Sequence, residues 1–258
     1  MNKINIKDLE FSYDKRKILK KLKFDISKLE FITILGPNGC GKTTLLKNLC
    51  AYEKPDSGMI MYDNEQIKHL SAKERAKKMA VVHQQNDIGF DFSVKDIVLM
   101  GRYPHLKKFE SEKEDDFKWV EYVMKETEVF HLKDKSIAEV SGGERQRIVI
   151  ARALAQQTDL IYLDEPISHL DIKHQIGILK LCKKLIKEKN LTVVMTLHDI
   201  NLASRFSDKI LLMCKGEIKA YGKPEDVLTI KNIENVYEVQ VEQFRHTDGY
   251  LYTVPRGE

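Results

Sequence analysis

The sequence predicts an α/β fold: a parallel sheet carrying a glycine-rich loop, an antiparallel β subdomain ahead of it, and a helical subdomain inserted into the sheet core. Three observations predict it. The run Phe31-Ile-Thr-Ile-Leu35 is continuously apolar, as in a strand covered on both faces, and it leads straight into glycines and a helix. Further short apolar runs at Met79–Val82, Leu160–Leu163 and Thr192–Leu197 are separated by helical patterns, the alternation that a parallel sheet needs. Between about residues 89 and 157 the alternation stops and one helical pattern follows another.

Taken in order, Ile4, Ile6 and Leu9 alternate with polar residues and lead to Phe11 and Tyr13, predicting a half-exposed antiparallel strand. Leu22 to Ile26 predicts its partner. The strand Phe31–Leu35 and the loop after it open a helix from about Lys42 to Cys50. Ser93 with Asp96, and Ser111 with Glu114, have capping-box spacing and predict two helix starts inside the helical stretch. After His198, the segments Lys209–Met213 and Glu217–Ala220 flank the turn Lys215-Gly216 and predict a hairpin. From about Ile230 the pattern is mixed. The expected organisation is a single domain over 1–258 with the helical subdomain, 89–157, inserted within it.

A chain of 258 residues buries a sizeable core, and 42% hydrophobic with 32% charged residues excludes disordered and fibrous classes. No apolar run approaches the roughly eighteen residues of a membrane-spanning helix. Met1 to Leu9 lacks the apolar centre of a secretory signal, so the chain is expected in the cytosol. Cys40, Cys50, Cys182 and Cys214 lack C-x-x-C spacing, and no H-E-x-x-H occurs. The cysteines therefore read as reduced, mostly buried thiols and not as a disulfide frame or zinc site. The net charge of +4 is mild, and the clusters Lys15–Lys17, Lys20–Lys23 and Lys183–Lys189 read as solvated faces or as a surface lying near anionic lipid or nucleic acid, between which charge alone does not choose.

Gly36-Pro37-Asn38-Gly39-Cys40-Gly41-Lys42-Thr43 fits G-x-x-x-x-G-K-[ST] without mismatch, in the strand–loop–helix context the motif needs. Glycines let backbone N–H groups converge on phosphate oxygens, and the helix N-terminus adds positive potential. Lys42 is placed to neutralise β- and γ-phosphates, and the Thr43 hydroxyl to bind Mg²⁺. With Thr44 these are the candidate nucleotide-binding residues. Kinases, GTPases and ATPases share such a loop, so more is needed to choose among them.

Leu160-Ile-Tyr-Leu-Asp164-Glu165 is an apolar strand ending in two carboxylates. Asp164 suits a magnesium-holding role and Glu165 the polarisation of an attacking water. Val140-Ser141-Gly142-Gly143-Glu144-Arg-Gln-Arg147 is more telling. Ser141 and Glu144 have capping-box spacing, but a helix start does not explain two adjacent glycines in its first turn. A Ser-Gly-Gly helix start is a second phosphate-binding surface, and one ATP does not need two such loops from one chain. The economical arrangement is a head-to-tail pair, each ATP sandwiched between one copy's phosphate loop and the other's Ser141–Gly143.

With these motifs in this order, the sequence resembles the ATP-binding cassette (ABC) family over nearly its whole length. The resemblance implies a P-loop NTPase (RecA-like) core, the cofactors ATP and Mg²⁺, and ATP hydrolysis. It implies that Tyr13 stacks on adenine, that Gln84, with Gln85 beside it as the other candidate, joins Mg²⁺ to the helical subdomain, and that Ser168-His-Leu-Asp171 runs along the dimer seam. It also implies that His198 contacts the γ-phosphate. Lys42, Glu165 and His198 are then the catalytic candidates, and Thr43, Gln84 and Asp164 the metal candidates. Val140 stands where leucine is commoner, and His169 where a small residue is commoner.

With one cassette and no membrane span, the resemblance implies the motor subunit of a transporter with separate integral-membrane permease subunits and, indirectly, an extracytoplasmic solute-binding protein. Its place is then peripheral, on the cytoplasmic face of the cell membrane, and nucleic acid is not an expected partner. The alternative is a soluble ABC ATPase acting in cofactor assembly, on ribosomes or on nucleic acid. Gly101-Arg-Tyr-Pro-His105, Leu170-Asp-Ile-Lys-His174-Gln175, Leu197-His-Asp-Ile-Asn201-Leu-Ala203 and the tail around Val236–Val241 are similar to ATPases of ferric-siderophore, haem and cobalamin importers.

Overall fold

The computed structural model describes residues 2–83, 92–168 and 170–257. The chain opens with β1 (Asn2–Tyr13), β2 (Arg16–Ser27), β3 (Phe31–Leu35), α1 (Lys42–Leu49), β4 (Ser57–Tyr62) and β5 (Glu65–Gln66). It continues through α2 (Ala72–Lys78), β6 (Met79–Val82), α3 (Val94–Leu99), α4 (Glu114–Glu126), α5 (Gly142–Ala155), β7 (Leu160–Leu163) and α6 (Ile172–Lys189). The last segment holds β8 (Thr192–Thr196), α7 (Ile200–Phe206), β9 (Lys209–Cys214), β10 (Glu217–Gly222), α8 (Pro224–Val227), α9 (Ile230–Tyr237), β11 (Val241–Arg245) and β12 (Leu251–Pro255). Two compact units result, one of Met1–Leu70 with Thr192–Glu258, the other of Ser71–Leu191.

In the first unit β1 pairs antiparallel with β2 and β4, in a register that sets Ile4 opposite Ile26, Ile6 opposite Phe24 and Leu9 opposite Leu22. All six side chains are buried, so the alternation seen in the sequence is one apolar face. The predicted second strand is longer than Leu22–Ile26, because pairing continues to the hairpin end at Tyr13 and Arg16. β3 lies between β8 and β9, parallel to both, and every one of its residues is buried. That central position explains its unbroken apolar run. β9 and β10 form the predicted hairpin. The unread C-terminal stretch forms α8, α9 and the hairpin β11–β12, which packs on α7.

In the second unit β6 and β7 pair in parallel, and α3, α4 and α5 pack on one another. Between 92 and 157 the described residues form these helices and short 3-10 turns, with one isolated bridge, Ser93 to Ser136. Ser93 caps α3 as expected, its Oγ accepting the Asp96 N–H (3.1 Å). The second predicted start needs correction: α4 begins at Glu114, with Lys113 and not Ser111 at the cap position. Three acidic residues fill its first turn, and Asp116 reaches back to accept the Lys113 N–H (3.0 Å), doing the work assigned to Glu114. The four cysteines are buried, as expected. Among the described residues no helix is long and apolar enough to cross a membrane, and no group of three or more His, Cys, Asp or Glu is arranged to hold a metal.

Candidate functional site

The first unit carries the phosphate loop, residues 36–43, in the turn between β3 and α1. Gly36 must be glycine because a Cβ there would lie 2.2 Å from the Met213 carbonyl oxygen. Gly41, at the cap position of α1, has φ 108°, a conformation side chains rarely adopt. The loop is clamped from outside by β9–β10: the Gly216 N–H donates to Cys40 O (3.0 Å) and the Gly216 carbonyl accepts from Lys20 N–H (2.9 Å).

Among the described α-helices, α1 is distinctive at its N-terminus. Each of the others has a capping side chain or acidic residues in its first turn, whereas α1 has neither. Its first-turn N–H groups face out of the helix end, at the positive end of the dipole, with no side-chain oxygen over them. Lys42 adds a full charge. It is only 5% exposed, and its ammonium donates to the carbonyls of Gly36 (2.8 Å) and Pro37 (3.2 Å), which holds it over the loop. Burial pushes the Cys40 thiol above its ordinary value although Lys42 opposes the shift, so the loop cysteine stays a neutral thiol. Asn38 and Gly39 are exposed, Pro37, Thr43 and Thr44 half-buried.

Two further candidates belong to this unit. Tyr13 ends β1, is 40% exposed, packs edge-on against Phe11 and donates from its hydroxyl to Glu53 Oε1 (3.2 Å). His198 follows β8 and is exposed, while the next residue, Asp199, caps α7 by accepting the N–H groups of Asn201 (2.7 Å) and Leu202 (2.9 Å).

The second unit carries the remaining described candidates. Ser141 caps α5 in a complete capping box: its Oγ accepts the Glu144 N–H (3.3 Å), and Glu144 Oε2 accepts the Ser141 N–H (2.7 Å) and hydroxyl (2.8 Å). Those contacts, the Ser141 N–H foremost, hold the Glu144 carboxyl below its ordinary range. Gly142 and Gly143 follow with no positive φ. A Cβ on Gly142 would meet nothing within 4 Å, and one on Gly143 would make only an ordinary 3.6 Å contact with Leu170. Neither backbone strain nor packing among the described residues calls for these glycines, although glycine weakens a helix by about 0.5–1 kcal/mol relative to alanine.

Asp164 is buried at the end of β7, and its N–H donates to Val82 O (2.9 Å). Glu165, half-buried, has φ 49°, a left-handed conformation that costs a non-glycine residue free energy and concentrates at functional sites. Two glutamines hold the loop after it. Gln146 Nε2 donates to Pro166 O (3.0 Å), and Gln175 Nε2 to the carbonyls of Ile167 (3.1 Å) and Leu170 (3.0 Å). Asp171 caps α6, accepting the His174 N–H (3.0 Å), and its carboxylate also meets His174 Nδ1 (2.8 Å). These contacts hold the Asp171 carboxyl below its usual range. Gln84 and Gln85, and His169 within the Ser168–Asp171 segment, lie outside the described residues.

Sequence reasoning missed the machinery behind Gly101–His105. A Cβ on Gly101 would lie 2.3 Å from Arg152 O, so glycine lets this turn sit directly against α5. Buried Arg102 pairs with Asp116 (2.7 Å) and donates to Ala155 O (2.8 Å) and Gln157 Oε1 (3.1 Å), and His105 Nε2 contacts Gln156 O (2.6 Å). The motif grips the C-terminal end of the helix whose N-terminal end carries Ser141–Gly143, and leaves Tyr103 56% exposed. From the residues alone the segment reads only as a helix stop punctuated by Gly and Pro.

Residues 19–168 match the model of a family described as ABC transporter. The chain is 38% identical over 229 residues to the ferric enterobactin transport ATP-binding protein FepC of Escherichia coli (strain K12), covering 89% of this chain and 84% of that protein. Among solved structures, an inward-facing metal-chelate type ABC transporter aligns with TM-score 0.85 at 31% identity, covering 100% of this chain and 99% of that one. A dimeric post-hydrolysis state of an ATP-binding cassette bound to ADP and Pi aligns with TM-score 0.76 at 30% identity, covering 86% of this chain and 98% of that one.

Proposed function

Because the chain belongs to the ABC transporter family of ATP-binding domains, we propose that it is the ATP-hydrolysing subunit of an importer for a ferric siderophore or a similar metal chelate such as haem or cobalamin. ATP binding and hydrolysis follow from membership of the family. The cargo rests on a relative named for ferric enterobactin transport and on a metal-chelate type neighbour.

The observation that carries the mechanism is the pair Gly142-Gly143, placed at a helix start where their conformation and the space over them would accept alanine. In a head-to-tail dimer that helix start lies on the γ-phosphate of an ATP held by the partner copy's phosphate loop. Lys42 exchanges its bonds to Gly36 and Pro37 for phosphate oxygens, and the first-turn N–H groups of α1 receive the remaining charge. Tyr13 supplies a ring face for adenine.

The donor set suits magnesium: the Thr43 hydroxyl, the Asp164 carboxylate and the Gln84 amide oxygen are the hard oxygens that this ion takes alongside phosphate and water. When bound, it supplies neutralisation of the developing phosphate charge. Glu165 orients and polarises the attacking water, and His198 senses the γ-phosphate. Asp171 fixes the start of α6 at the dimer seam. Loss of the γ-phosphate removes the contacts favouring the closed dimer, and the resulting motion passes through α5 and the Gly101–His105 grip to permease subunits in the membrane. The chain sits on the cytoplasmic face of that membrane, with the 89–157 helical subdomain as the moving part.

The test is Glu165→Gln with Mg-ATP, followed by light scattering and phosphate release. The expected result is a nucleotide-held dimer with turnover lowered by orders of magnitude. Rapid turnover by a monomeric variant removes Glu165 from its role and the sandwich with it.

A further inference from the structure

We propose that the second unit carries a ligand pocket of its own, for a small aliphatic monocarboxylate, where α4, α5, β7 and α6 meet. A cavity of about 260 Å³ lies there, and every residue lining it belongs to this unit. That volume falls just under the roughly 300–1,000 Å³ of drug-sized sites, so the ligand is small.

The walls are hydrocarbon. Leu154 near the end of α5, Ile161 in β7, Leu185 in α6 and Leu191 just after it line the cavity, and half-buried Trp119 of α4 joins them. Such walls hold an alkyl chain by apolar burial alone. Orientation then falls to the few polar groups of the lining.

Those groups give the charge. Lys189, the last residue of α6, and Asp159, just ahead of β7, are both exposed members of the lining. Asp159 is already engaged within the chain. Lys189 makes no ion pair among the described residues. Its Nζ lies 5.3 Å from the Trp119 ring centre and 5.7 Å from that of Tyr122, two rings stacked at 5.3 Å. Ring faces attract an ammonium without neutralising it, so the positive charge beside the cavity favours an anion.

Gln157 supplies a second donor. It follows α5 with φ 54°, at the place where helices commonly end on glycine. A side chain is kept there at a cost in backbone strain. Its Oε1 accepts from Arg102 (3.1 Å), which leaves the amide N–H groups to donate. Thr158 is not the donor, because its hydroxyl already donates to Leu160 O (2.8 Å). One ammonium and one amide suit the two oxygens of a single carboxylate, and a second carboxylate would meet the charge of Asp159. The ligand is therefore an alkyl chain ending in one carboxylate. None of these residues is a candidate for the nucleotide site, so the pocket stands or falls independently of the proposed transport function.

Trp119 is the only tryptophan of the chain, so its fluorescence reads the cavity directly. The experiment titrates the full chain, without nucleotide, with octanoate while following that emission, and calorimetry counts the sites. Hexanoate and octylamine are the comparisons. A saturable change at one octanoate per chain is expected, with hexanoate about tenfold weaker for its two missing methylenes and octylamine weaker still. Lys189→Met should weaken octanoate by about tenfold, and Lys189→Arg should stay within about threefold of the wild type. Gln157→Gly, which suits the left-handed backbone and so keeps the fold, should weaken binding severalfold. The proposal is overturned by no saturable change up to about 10 mM octanoate, by octylamine binding as tightly as octanoate, by equal affinity for hexanoate, or by wild-type affinity in both Lys189→Met and Gln157→Gly.

Discussion

Replacing Gly142 and Gly143 by alanine, singly and together, should move stability and activity in opposite directions. Both positions lie in the first turn of α5 without positive φ, and the new Cβ atoms meet open space or a 3.6 Å contact with Leu170. Glycine to alanine in a helix gains about 0.5–1 kcal/mol, with the lower end apt for a first turn, so the double variant gains about 1 kcal/mol. For a protein of this size that raises the melting temperature by about 2–4 °C. In the ATP-held dimer the same Cβ atoms intrude where the partner's γ-phosphate approaches the helix start. The loss expected there is about 10- to 100-fold in turnover, or roughly 1.4–2.7 kcal/mol. Scanning calorimetry and phosphate release on the same preparations read the two effects. A melting temperature lowered by several degrees would show that the glycines serve the fold. Wild-type turnover in the double variant would show that nothing docks on them.

Lys42→Ala should lower ATP affinity or turnover by orders of magnitude in nucleotide titration and phosphate release, because the variant loses the buried ammonium held over the loop. Tyr13→Ala should weaken ATP binding by about 1–3 kcal/mol, the worth of stacking on a base, and Tyr13→Phe should not. Asp116→Asn breaks a buried ion pair and should cost about 3 kcal/mol in denaturant titration at neutral pH. Burial pushes the Asp116 carboxyl upward, but the Lys113 N–H and the Arg102 guanidinium outweigh it and hold the group below its ordinary value. A depressed carboxyl stabilises the fold above the unfolded value near pH 4 and loses that contribution as pH falls through the folded one. The gap between wild type and Asp116→Asn should therefore shrink on acidification below about pH 4, and a gap independent of pH would contradict the pairing. Cys182, pushed up to about 12 by complete burial, should resist alkylation until the chain unfolds, as mass spectrometry of labelled protein can check.

The parts legible in the sequence were those governed by local rules. An unbroken apolar strand, a glycine loop and a helix in direct succession fix β3, the phosphate loop and α1. Capping spacing fixes Ser93 and Ser141. Ser111 misled because spacing cannot see that Asp116 both caps α4 and holds Arg102, a residue fourteen positions earlier in another element. Gly101–His105 had no bottom-up meaning for the same reason, since its partners are carbonyls at the far end of α5. The C-terminal hairpin was unreadable because its strands are only five residues each, with apolar and polar residues mixed on both faces, and Asn201 anchors it from 52 residues away. The left-handed backbone of Glu165 leaves no trace in residue type, unlike the glycines of the phosphate loop.

The most direct test of the transporter account is to purify tagged Glu165→Gln protein from detergent-solubilised membranes in Mg-ATP and identify its companions by mass spectrometry. The account predicts a many-helix permease retained on the ATP-held dimer. Recovery of soluble partners alone, such as ribosomal or assembly proteins, would contradict it and leave an ATPase with a different load.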